Sequence, residues 1–455
     1  MQDASRSHLA DAFLSELSAH GSHSGSRAMS PPRHLRRPRP RSLKLLGMAT
    51  SLPMGRFLAA AALIVVVVAY VVVQLVRPVP PVTATVSVPA TIIPGKPARL
   101  AWPSQGESAI GVEGSGLLQT HGAQTETPLA SVTKLMTAYL VLRDHPLPTG
   151  TATGPSITIT PTDVAIYKRD LKTGDSVVAV KAGERISERQ ALEALLIPSG
   201  DNIATLLADW DAGSENAFVA EMNAAARHLG LADTHYTGAS GVEPGTVSTA
   251  ASQVKLAMVD MAIPAFREIV GMAQVVLPVA GLQYNVDALL GKDGIVGVKT
   301  GFTTSAGACF VFAADTKIDG TPETVVGGIF RQFGTAKQPS ALTQAFDATK
   351  ALVRSADRAL VRARVVRPGE VLGHLDAPWT GSIALEASHG VSVTGLPGQH
   401  VRTTVVLPAR TSAPVPAGHH LGTAVVELGD RRIAVPLVTS RALPSVSVGW
   451  RLTNL

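Results

Sequence analysis

Hydrophobic positions change their spacing three times along this chain. Phe57 to Val76 reads FLAAAALIVVVVAYVVVQLV, an apolar run without a charge, closed off by Arg56 and Arg77. At about 1.5 Å per helical residue the run spans a hydrocarbon core of about 30 Å, so it predicts one transmembrane helix. From about residue 129 to 230 the apolar period becomes helical. Val132, Leu135, Met136, Tyr139 and Leu142 fall on one face of a helix expected over Ser131–Leu142. Ser187 and Gln190 form a capping box in front of Ala191–Leu196, and Pro198 stops that helix. Ile203–Trp210 and Ala217–Leu229 predict two more, the second closed by Gly230.

From about 275 the texture turns to strands: Gly294–Lys299, Gly307–Asp315 and Thr324–Phe330, followed by a helical Ala341–Arg354. Helices followed by neighbouring strands and a last helix predict an α/β (α+β) unit with an antiparallel sheet. Beyond about 358, Val365–Gly373, Val391–Gly398, Val401–Pro408 and Ala424–Leu437 read as strands between Pro/Gly turns, with Gly429-Asp430 as a hairpin tip. The expected organisation is a basic disordered tail over 1–56, a span over 57–76, a proline-stiffened stalk over 77–99, a catalytic domain over 100–357 and a β-rich accessory domain over 358–455.

The net charge of +6 suggests nucleic acid until it is located. Residues 1–56 hold nine Lys/Arg against three Asp/Glu, and the rest carries thirty-one of each sign. The basicity thus belongs to the arm, and a nucleic-acid partner is not expected. Arg33, Arg36, Arg37, Arg39, Arg41 and Lys44 precede the apolar run, which predicts a cytoplasmic N-terminus and an extracytoplasmic body at the cell membrane. Cys309, the sole cysteine, lies in the apolar stretch 308–314 and is expected to be a buried small hydrophobe.

Three short motifs carry candidate chemistry: Ser131-Val-Thr-Lys134, Ser199-Gly-Asp-Asn202 and Lys299-Thr-Gly301. Positions i and i+3 share a helix face, so the Lys134 amine can reach the Ser131 hydroxyl. A serine needs a base to take its proton, and a lysine serves only where burial or a second cation weakens its own hold on one. Lys299 is the candidate second cation. Ser199 is the candidate proton relay, with either Asn202 or Asp201 beside it. Gly301 at a strand end allows close approach of an extended substrate; Lys299 and Thr300 can bind a carboxylate. Backbone N–H groups of Ser131 and Phe302 are the candidate oxyanion hole. Arg331 is a further candidate for the terminal carboxylate.

These motifs, with Pro128–Thr137, Phe218–Asn223, Leu229–Thr234, Ser248–Ala250 and Gly294–Thr303 around them, resemble the serine-type D-alanyl-D-alanine carboxypeptidases, the low-molecular-mass penicillin-binding proteins. The resemblance covers roughly residues 100–350, and less specifically the C-terminal module. It implies a β-lactamase/transpeptidase-like fold, an antiparallel sheet flanked by helices with a helical subdomain. It implies a Ser131 acyl-enzyme that removes the terminal D-alanine from peptidoglycan stem peptides, with β-lactams as covalent inhibitors and no cofactor or metal. One departure stands out: the family's second motif is SxN, whereas position 201 is Asp and Asn follows at 202. A serine β-lactamase and a catalytically impaired wall-binding homologue are the alternative readings.

Overall fold

The computed structural model describes residues 54–97, 99–148, 152–429 and 431–454. The basic tail expected over 1–56, up to residue 53, lies outside the described residues. Two units divide between Tyr70 and Val71. The apolar run forms one helix, Met54–Val76, three residues longer at its start than expected. Among the described residues it alone is long and apolar enough to cross a membrane.

The second unit contains a five-stranded sheet, antiparallel throughout, in the order Ile295–Thr303, Gly307–Ile318, Thr321–Gln332, Glu107–Val112, Gly116–His121. Its second strand reads as one continuous apolar run because both of its faces are covered. Phe310 and Phe312 point to the core shared with Leu352 and Ala356 of the Ala341–Ala359 helix. Cys309, Val311 and Ala313 point to the opposite core with Val254 and Ala257 of the Ala250–Met261 helix. Burial pushes the Cys309 thiol up to about 12, which fits the expected inert hydrophobe.

The helical subdomain follows the predicted pattern. Ser131 lies in a 3-10 turn, Ala130–Thr133, that leads into the Lys134–Asp144 helix. Ser187 and Gln190 exchange both capping-box bonds in front of Glu188–Leu196. The helix after it, Asp201–Ala212, starts two residues earlier than its apolar pattern. A helix over Pro161–Thr173 was legible in Thr160-Pro-Thr-Asp163, a capping box with proline at the first helical position, but its weak apolar stripe hid it.

Glu188 begins its helix fully buried, and neither carboxylate oxygen has a hydrogen-bond partner among the described residues. Burial first, then the nearby Asp211 charge, pushes its carboxyl up to about 7. A carboxyl raised from 4.5 keeps its proton in the native state longer than in the unfolded chain. Its contribution is therefore complete below about pH 4.5 and disappears as pH rises through about 7. Urea midpoints are expected to fall across that window, and Glu188→Gln to flatten the fall.

The stalk differs from expectation. Thr83–Val86 and Thr91–Ile92 are the two edge strands of a seven-stranded sheet whose other members are Val371–Ala377, Gly381–Ala387, Arg431–Thr439, His420–Leu428 and His400–Val406. The β-branched Thr-Ala-Thr-Val run suits a strand, and the prolines around it confine it to an edge. The chain thus passes through the β module before and after the catalytic domain. The expected strand over Val365–Gly373 is split by a turn at Pro368-Gly369 into Val361–Val366 and Val371–Ala377. The expected hairpin is present, with Leu428 paired to Arg431.

Candidate active site

Three separate segments of the catalytic domain converge on Ser131. Its own turn is held from below by the loop before the Ala250–Met261 helix. Gly241 at φ +86° lies so close that a Cβ there would sit 2.0 Å from the Ala130 carbonyl oxygen. Ala130 itself adopts φ +49°, a left-handed conformation that non-glycine residues rarely take, immediately before the serine. Thr133 Oγ1 donates to the Ala130 carbonyl (2.9 Å), closing the turn on itself, and Thr137 Oγ1 donates to the Ala239 carbonyl (2.7 Å), tying the helix to that loop.

The Lys134 side chain is fully buried. Its Nζ lies 2.8 Å from Ser131 Oγ, 2.5 Å from Asp201 Oδ1 and 3.1 Å from the Ser240 carbonyl oxygen. The helical i, i+3 reach inferred from the sequence is therefore present.

The second motif sits in the link between two helices. Ser199 has φ +69° and its hydroxyl accepts from Lys299 Nζ at 2.8 Å. Asp201 and Asn202, left as alternatives by the sequence, separate here. Asp201 turns inward to Lys134, with its other oxygen accepting from the Ser176 N–H at 2.9 Å. Asn202 turns away: its amide exchanges two bonds with the Val178 backbone, at 2.9 and 3.0 Å. Asn202 is thus not brought into the site. The cause is helical geometry, since consecutive residues at a helix start point about 100° apart and only one can face Lys134.

The third motif is on the Ile295–Thr303 edge strand. Lys299 is 1% exposed, and its Nζ also donates to the Thr300 carbonyl at 2.9 Å. Burial, with the Lys134 charge adding to it, holds the Lys299 amine well below its ordinary value; Asp201 and Asp287 oppose the shift. A Cβ on Gly301 would lie 3.0 Å from Leu129 O, Ser131 N and Val132 N, so this strand abuts the nucleophile's own backbone. Phe302, next along, has an exposed side chain and pairs with Ala308. Ala308 pairs in turn with Gln332, which puts Arg331 at the same end of the sheet, exposed, two strands away.

Sequence reasoning missed Ser176 and Ser240, which act through backbone atoms that leave no side-chain signature. Away from these motifs, Asp144, Asp211 and Glu221 bring three carboxylates close together. Arg143 pairs with Asp144 and Glu221, and His145 Nε2 lies 3.0 Å from Asp211 Oδ1, so each of the three carboxylates already faces a side-chain partner.

A serine with a buried lysine amine on its hydroxyl, beside a free strand edge carrying a second buried lysine, defines the serine–lysine class of acyl-transfer enzymes. The comparisons agree. The family described as D-alanyl-D-alanine carboxypeptidase matches residues 104–327. A D-alanyl-D-alanine carboxypeptidase of a Streptomyces species is 33% identical over 221 residues, covering 43% of this chain and 71% of that one. The carboxypeptidase DacD of Salmonella typhimurium is 29% identical over 352 residues, covering 72% of this chain and 82% of its own length. The crystal structure of penicillin binding protein 5 from Haemophilus influenzae shares the fold, with a TM-score of 0.57 at 18% identity, over 77% of this chain and all of that one. This chain belongs to the D-alanyl-D-alanine carboxypeptidase family of serine peptidases.

Proposed function

We propose that this protein is a D,D-carboxypeptidase that cleaves the terminal D-alanine from peptidoglycan stem peptides through an acyl-enzyme on Ser131. The observation that carries this reading is the 2.8 Å contact between Lys134 Nζ and Ser131 Oγ. In the forward step Ser131 Oγ attacks the carbonyl carbon between the last two D-alanines, and its proton passes to Lys134. Backbone N–H groups of Ser131 and Phe302 hold the oxyanion, where each well-aimed donor contributes about 10²-fold or more. The C–N bond then breaks. The leaving amine takes up the proton that Lys134 received, relayed by way of Ser199, whose hydroxyl accepts from Lys299 Nζ. Water hydrolyses the ester and returns Ser131.

Lys299 and Thr300 bind the terminal carboxylate, with Arg331 as an outer contact, while the peptide lies along the Ile295–Thr303 edge. Penicillins, whose strained amide stands in the same place, acylate Ser131 and stay. The apolar helix anchors the protein by a single span, with the N-terminus cytoplasmic and Ser131 on the outer side, where its substrate is.

Incubating the purified chain with a labelled penicillin and with a pentapeptide ending in D-Ala-D-Ala tests this. A stable adduct at Ser131 together with D-alanine release is expected. Fast penicillin turnover without D-alanine release would instead make it a β-lactamase, and no adduct would leave a wall-binding homologue.

A further inference from the structure

We propose that Asp201 is a positioning residue whose carboxylate aims Lys134 at Ser131, and that the asparagine of the family's SxN pattern cannot replace it in this chain. The inference rests on the acyl-enzyme reading above and concerns how the base is prepared.

Two donors converge on the side chain at position 201. Lys134 Nζ reaches Oδ1 and the Ser176 N–H reaches Oδ2. Residue 201 is 6% exposed, so bulk water cannot stand in for either partner. The backbone around it is fixed as well, because the Asp201 N–H donates to the Ser176 carbonyl at 2.7 Å. A carboxylate offers an acceptor in both directions. An amide offers one oxygen and one NH₂. Turned one way, its NH₂ meets the Ser176 N–H, donor against donor. Turned the other way, it meets Lys134 and competes for the lone pair that Ser131 requires.

The proton inventory at Lys134 gives Asp201 its role. Asp201 Oδ1 and the Ser240 carbonyl oxygen can only accept. A neutral amine has two N–H bonds and one lone pair. With both N–H bonds committed to those oxygens, the remaining tetrahedral direction is toward Ser131 Oγ. On attack the Ser131 O–H bond breaks, the new N–H bond forms on Lys134, and the resulting ammonium already has three oxygens around it. The Asp201 carboxylate stabilises that ammonium. The surrounding charges are Lys299, the exposed Glu243, with Glu215 beside it, and Asp287 near Lys299.

The test is the rate of Ser131 acylation by a fluorescent penicillin, followed from about pH 5 to 10 for the wild type, D201N and N202A. Ser131→Ala supplies the background, and circular dichroism checks the fold. D201N is expected to acylate at least tenfold more slowly at its optimum. Its pH profile should also differ from the wild type's, because the carboxylate that faces Lys134 Nζ is then gone. N202A frees the Val178 segment without touching Lys134, so it should keep the wild-type pH profile. Wild-type rate and profile in D201N would overturn the clamp and leave the acyl-enzyme reading intact. The same would follow if N202A reproduced both the slowing and the shift. A wild type that forms no adduct at Ser131 would overturn the acyl-enzyme reading, and the clamp with it.

Discussion

Lys134→Ala is expected to slow acylation of Ser131 by about 10⁴-fold, the upper range for losing a general base. The loss has a second part. Lys134 Nζ is the hydrogen-bond donor facing the buried Asp201 carboxylate at 2.5 Å. Removing one member of a buried pair typically costs about 3–5 kcal/mol, because the other charge stays behind uncompensated. Thermal unfolding of Lys134→Ala should therefore begin several degrees below the wild type, while a Lys134→Ala/Asp201→Leu double variant regains stability without activity. Lys134→Arg should not rescue turnover, since a guanidinium stays charged and accepts no proton. Stopped-flow penicillin labelling and a melting curve on the same preparations separate the two effects. Wild-type acylation in Lys134→Ala would remove Lys134 from the proposed base role.

Gly301→Val is expected to lower acylation by about 10²–10³-fold, the loss seen when an oxyanion-hole donor is misplaced. The first added carbon already meets three backbone atoms at 3.0 Å: Leu129 O, Ser131 N and Val132 N. Backbone cannot rotate away as a side-chain tip can, so the edge strand must move off the nucleophile's turn. That movement separates the Ser131 and Phe302 N–H groups that are to hold the oxyanion. Lys134 remains against Ser131, since none of its partners is on this strand. The signature is therefore slow acylation with a preserved pH profile, opposite to the Asp201 variants. Gly301→Ala adds only the first carbon and should give a smaller loss of the same kind. Unchanged acylation in Gly301→Val would count against Phe302 N–H as a donor.

The sequence made the site's chemistry legible because its three motifs are contiguous. Ser131 and Lys134 are joined by helix periodicity alone, and Lys299-Thr-Gly301 ends a recognisable strand. The choice between Asp201 and Asn202 was not legible, because it depends on the direction in which Gly200 starts the next helix and on the Ser176–Val178 segment, 24 and 25 residues upstream of the side chains it meets. The stalk was misread for a related reason. Four residues, Thr83–Val86, form a strand only through Gly373–Asp376, almost three hundred positions later. The capping box of Glu188–Leu196 and the two-sided burial of Gly307–Ile318 were local or compositional, and both were foreseeable.

The edge strands at Thr83 and Thr91 also determine how the catalytic domain is mounted. A domain carried on one linker swivels freely about it. Here the chain leaves the β module after Ile93 and rejoins it at Val361, giving two attachments. Side-chain bonds fasten the seam further: Gln399 Nε2 donates to the Leu118 carbonyl, Arg431 to Ser115 Oγ and Thr394 Oγ1 to Glu323. Such a mounting works as a bracket, in which the Ser131 cleft has a fixed bearing relative to the β module. Whatever that module is fastened to then helps to decide which strands the cleft can meet, alongside the chemistry of the cleft.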